Sequence, residues 1–177
     1  MEFKELIMER RSVRAYQADR TIDDATIKDI LADMVQAPTW KNFASGRYYV
    51  ANTPESVAKI RACLAEFNQK STANASAYIV TTYVKDISGF TKGEPDNELG
   101  NQWGAYDLGC QNAYLVLSAK EHGLDSLIMG IRDGEKLREA VNAPEEEVVF
   151  AVIALGYHEG DILIRRRKAV EDIAKFL

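Results

Sequence analysis

The eight residues Val148 to Leu155 read VVFAVIAL and contain no polar side chain. A short run of that kind suits a central β-strand. Around it, helical and extended patterns alternate. After Asp23, placed to cap a helix, Ile27, Ile30, Leu31, Met34 and Val35 recur at three- and four-residue spacing, which predicts an amphipathic helix ending near Pro38. Arg47 to Ala51 is strand-like, and Tyr78 to Val84 is β-branched and aromatic enough to be a strand. Between them, Thr53 and Pro54 open a helix expected to carry Val57, Ile60, Cys63, Leu64 and Phe67 along one side. Ser88 to Gly100, with three glycines and a proline, predicts a mobile surface loop. A long proline-free helix follows from about Asn101 to His122, with Gly123 where a left-handed cap belongs. Leu124 to Gly130 is extended, and Asp133 can cap a short helix containing Leu137 and Val141. The links do not fix strand direction, so the alternation predicts a mixed α+β fold over a regular parallel sheet.

The chain has 177 residues, 46% of them hydrophobic, which is enough for one domain spanning residues 1–177. No stretch approaches the ~20 apolar residues of a membrane span, and the N-terminus lacks a signal-peptide centre, so a cytoplasmic address is expected. Cys63 and Cys110 have no C-x-x-C spacing and are expected to be buried thiols. His122 and His158 have no companion at metal-ligand spacing, so no metal is expected. Gly130 followed by Gly134 is not a dinucleotide fingerprint, and Ser12 lacks a nucleophile elbow. A net charge of -5 argues against nucleic acid as a partner. The cations are nonetheless bunched. Arg10, Arg11 and Arg14 crowd the start, while Arg165, Arg166, Arg167 and Lys168 crowd the end. Guanidinium groups bind phosphate bidentately and Ser12 adds a hydroxyl, so the two clusters invite an anionic ligand.

The motifs RRSVR, APTWKN, GLDSLIMG, VIALGYHEG and RRRKAVED occur in that order over nearly the full length. In this the chain resembles the nitroreductase family. The resemblance implies an α+β fold with a central, mostly antiparallel sheet surrounded by helices, assembled as an intertwined homodimer. It also implies bound FMN, with NAD(P)H and a small electron-accepting substrate as partners. Arg10 and Ser12 then correspond to contacts with the phosphate and ribityl chain, with Arg11 nearby, and Arg165 and Arg167 to the terminal basic pair on the phosphate. Arg14 corresponds to the cation beside the flavin pyrimidine edge. Pro38, Thr39, Trp40 and Asn42 correspond to residues that reach the flavin of the partner subunit. Asn68 matches a ring contact in some relatives. Ile128, Met129 and Gly130 would line the ring through backbone groups, although core packing explains Ile128 and Met129 equally well. In the stretch Phe43, Ala44, Ser45 and Gly46, the last three stand where the family pattern has glutamine, proline and tryptophan, which leaves the substrate pocket open. The implied activity is hydride transfer from NAD(P)H through FMN to a nitroaromatic or quinone. The alternative is a flavin-binding storage or sensing module without turnover.

Overall fold

The computed structural model describes residues 1–177. Six α-helices and six strands follow one another as α1 (Phe3–Glu9), α2 (Asp24–Met34), β1 (Gly46–Ala51), α3 (Pro54–Arg61), α4 (Glu66–Ser71), β2 (Ala77–Val84), β3 (Phe90–Thr91), β4 (Glu94–Pro95), α5 (Gln102–Glu121), β5 (Asp125–Met129), α6 (Gly134–Val141) and β6 (Glu147–Gly156). Strands β1, β2, β6 and β5 lie in that order in one sheet, and every pair is antiparallel. The apolar run therefore sits in the middle, as its composition demands.

Alternation along the central strands divides the core in two. Ala77 and Ile79 of β2, with Ile153 and Leu155 of β6, point toward α2 and α5, where they meet Ile27, Ile30, Leu115 and Ala119. Tyr78 and Val80, with Val152 and Ala154, point the other way, toward Ile60 of α3 and Leu137 of α6. The pairing of Thr81 with Ala151 and of Thr82 with Val149 leaves Phe150 unpaired, a β-bulge that returns Val149 to the same face as Val152. Each fully buried leucine or isoleucine contributes roughly 1.5–3 kcal/mol, so both faces are needed to hold the sheet.

Local chemistry fixes the helix ends. The Asp23 carboxylate accepts from the Thr26 amide, and the Asp133 carboxylate accepts from the Lys136 amide, each satisfying an orphan donor of a first turn. At the end of α5, Gly123 has φ 76°, its amide donates to the Lys120 carbonyl, and the Leu124 amide donates to the Ala119 carbonyl. This left-handed cap turns the chain directly into β5.

Three expectations are revised. The helix opened by Pro54 ends at Arg61, and α4 is separate, leaving Phe67 exposed. The break has a cause in backbone pairing. The Cys63 carbonyl accepts from the Asp133 amide, and the Ala65 amide donates to the Ile131 carbonyl, so residues 63–65 pair with the chain beyond β5 instead of continuing a helix. The glycine-rich stretch after Ser88 contains the β3–β4 hairpin, pinned where Lys41 Nζ meets Asp96 at 3.1 Å and Trp103 Nε1 donates to Asn97 at 2.9 Å. Cys63 is buried, but Cys110 is only half-buried, because it lies on the outward side of α5. No helix is long and apolar enough to cross a membrane.

Candidate functional site

The segment after α1 is built to present its cations. Val13 and Tyr16 are buried anchors, while Ser12 and Arg14 stay exposed. The Val13 amide donates to the Ser126 carbonyl of β5 at 3.1 Å. Four residues on, the Gln17 amide donates to the Tyr157 carbonyl at 2.8 Å, and the Glu159 amide donates to the Ala15 carbonyl at 3.1 Å. The start of the chain is thus stitched to the stretch that follows β6, which carries the terminal basic residues back toward it.

Arg11, Ser12, Arg14, Arg165 and Arg167 line one cavity of about 150 Å³. None of these guanidinium groups has a carboxylate partner, since every ion pair of the chain lies elsewhere. Partial burial, and then the neighbouring charges of Arg167 and Arg11, push Arg10 below arginine's ordinary value. Like charges held together without counter-charge are a standing electrostatic cost that a bound anion removes. Beside this cluster, Arg10 closes one side of an apolar cavity of about 390 Å³ walled by Ile7, Ala113, Val116, Leu117 and Ile128.

The other predicted residues divide. Ile128 is 47% exposed and lines that apolar cavity, whereas Met129 is 3% exposed and packs in the core beneath α6. The two-residue period of β5 separates them. Gly130 is exposed just beyond the strand. Asn68 is buried, and its side-chain amide donates to the Ile131 carbonyl at 3.1 Å, tying α4 to the end of β5. Arg14 lines the two polar cavities and is absent from the apolar one. Arg166 and Lys168 are solvent-exposed and line neither cavity.

Pro38, Thr39, Trp40 and Asn42 are not gathered with the arginines. They precede β1, at the opposite edge of the sheet from β5, about 14 Å away for four strands at ordinary spacing. The Trp40 amide donates to Asp107 at 2.9 Å, and its ring stands 4.6 Å from that of Trp103, so the loop is fastened to the first half of α5. The apolar cavity touches the same helix from Gly109 to Leu117, so it begins about 3 Å and ends about 15 Å beyond Asp107 at 1.5 Å per residue. Lys41, Asn42 and Ala44 all have positive φ, which concentrates backbone strain in this loop.

Sequence reasoning missed His158. Its Nδ1 lies 2.6 Å from the buried carboxylate of Asp125, whose other oxygen meets Lys120 at 3.2 Å. Only the tertiary pairing of β5 with β6 brings these residues together, so no sequence spacing announced them.

An antiparallel sheet between helix layers, with an arginine cluster that makes no ion pair opening beside an apolar cavity, defines the α+β class of the protein. The comparisons narrow that class. The nitroreductase family model matches residues 7–89 and 66–157. A protein of Archaeoglobus fulgidus assigned as an NADH dehydrogenase/NAD(P)H nitroreductase is 31% identical over 160 residues, 88% of this chain and 85% of its own. The CLA biosynthesis enone reductase of Lactiplantibacillus plantarum is 24% identical over 88% of this chain and 85% of its own. Among solved structures, a nitroreductase-type protein of Exiguobacterium sibiricum in complex with FMN superposes with a TM-score of 0.82 at 22% identity, covering 100% of this chain and 98% of that one. The chain belongs to the nitroreductase family.

Proposed function

We propose that the protein is an FMN-dependent oxidoreductase that transfers hydride from NAD(P)H to an electron-poor acceptor such as a nitroaromatic, a quinone or an enone. The observation that carries this is the donor set. Arginines from both ends of the chain converge without acidic partners beside an apolar cavity, which suits a ligand with a phosphate at one end and a flat ring at the other. Arg10, Arg11, Ser12, Arg165 and Arg167 would hold the phosphate end by charge-assisted hydrogen bonds. Arg14 would offer its charge toward the ring edge, and Ile128 and Gly130 would meet the ring itself. When bound, FMN supplies the hydride chemistry, so the protein's part is to bind, orient and keep water out.

The loop from Pro38 to Asn42 fits this reading only through a second copy, because in one chain it is fastened at the far sheet edge. A homodimer would bring the partner's loop to the arginine cluster. Support for this comes from α5, where Tyr106, Ala113 and Tyr114 face outward, with Cys110 and Leu117 half-buried beside them.

The test is anaerobic spectroscopy of protein reconstituted with FMN. The expected result is a bound flavin that bleaches with NAD(P)H and recovers with a quinone or nitroaromatic. Binding without bleaching would instead identify a storage or sensing module. Failure to take up FMN would overturn the proposal, as would recovery of FAD alone from purified protein.

A further inference from the structure

Asp125 is 3% exposed and uses both carboxylate oxygens, one toward Lys120 at 3.2 Å and one toward His158 Nδ1 at 2.6 Å. An anionic carboxylate can only accept, so His158 presents its Nδ1 hydrogen to Asp125. The ring's Nε2 has no partner within the chain, and the side chain is 38% exposed. His158 lines a cavity of about 300 Å³ together with Ser12, Arg14 and Arg165, and those three residues also line the smaller arginine cavity. The two cavities therefore adjoin. The backbone holds the histidine in place, because His158 bridges Tyr16 and its carbonyl accepts from Gln17 Nε2 at 2.9 Å.

We infer that His158 is a proton-dependent contact for the phosphate end of the flavin, an inference that rests on the flavin reading above. Neutral imidazole with its Nδ1 hydrogen on Asp125 offers a lone pair at Nε2, which repels a phosphate oxygen. Imidazolium offers a hydrogen there instead. Asp125 faces the ring from β5, with Lys120 of α5 behind it, and Arg14 lines the same cavity from the N-terminal segment, where the Tyr16 backbone pairs with that of His158. Glu159, Asp161 and Arg165 lie on its own segment. A phosphate that accepts the Nε2 hydrogen favours imidazolium, which couples flavin binding to proton uptake.

The experiment measures dissociation constants of FMN and riboflavin by flavin fluorescence from about pH 5.5 to 8.5, the window in which histidine changes charge. The phosphate gains charge over the same window, so His158→Gln provides the reference profile. Wild-type protein is expected to bind FMN about tenfold more tightly than His158→Gln at the acid end, with the two converging at the alkaline end. Riboflavin, lacking the phosphate, should bind both proteins equally. His158→Lys, with a charge that does not titrate in this window, should keep the tight binding to alkaline pH. In wild-type protein the His158 ring signals in NMR should titrate at higher pH once FMN is added. Superimposable FMN profiles for wild type and His158→Gln overturn the inference while leaving flavin binding intact. An equal loss for riboflavin also overturns it, since it marks a structural role. A wild-type protein that binds no flavin removes both this inference and the function on which it rests.

Discussion

At the scale of single residues, the chain uses the same side-chain chemistry for two different ends. Asp23 and Asp133 spend their charge on helix starts, and Arg165 and Arg167 hold theirs in reserve. The amide of Thr26 holds the Asp23 carboxyl below the usual carboxylate range, and the amide of Lys136 does the same for Asp133. A depressed carboxylate contributes stability that is fully present above its unfolded-state value and is lost as pH falls through the folded one. Urea unfolding of Asp23→Asn and Asp133→Asn should therefore lie below wild type at pH ~7 and merge with it toward pH ~2. A gap that persists in acid would show that the caps act through shape alone. Arg167 makes no ion pair and lines the small cavity, so Arg167→Ala should leave the melting temperature unchanged. It should weaken FMN binding about tenfold to a hundredfold, the worth of one charge-assisted hydrogen bond. An unaltered FMN dissociation constant would make Arg167 an ordinary solvated residue.

Among the elements, α5 does the most positioning, since it spans from the Trp40 loop to the apolar cavity and packs on β1, β2 and β5. It packs tightly on β2 at Gly104, where an added Cβ would stand 2.5 Å from the ring of Tyr83. Helix propensity favours alanine over glycine by about 1 kcal/mol, but overpacking costs typically 1–3 kcal/mol, so the clash should win. Chemical denaturation of Gly104→Ala should show a net loss of stability, and a net gain would mean that Tyr83 moves aside freely. The same helix shows how pattern reading worked. Its start, its end and the cap at Gly123 follow from local residue types. The division at residues 62–65 did not, because backbone partners near Ile131 and Asp133 ended α3 where side-chain periodicity ran on.

For the whole molecule, the prediction concerns assembly. The arginine cluster and the Pro38–Asn42 loop occupy opposite sheet edges of one chain, so a site containing both is shared between two chains. A mixed dimer of Asn42→Ala and Arg14→Ala chains would then have one doubly damaged site and one intact site, and should keep about half of wild-type activity. Sedimentation of holo and apo protein over a dilution series should show a dimer that loosens when FMN is removed, because obligate interfaces of more than about 2,000 Å² leave little folded monomer. A monomer with full flavin content would refute the shared site.

The sequence by itself determined the apolar strands, the helix caps and the two basic clusters, because each depends on residue types within a few positions of one another. Its motif order determined the family. Tertiary structure alone decided that all four strands run antiparallel, that Ile128 meets the cavity while Met129 fills the core, and that Asn68 is spent on the Ile131 carbonyl. It alone joined Asp125 to His158, thirty-three residues apart, across the pairing of β5 with β6. Contacts of that separation depend on strand register and loop closure, which no local pattern encodes.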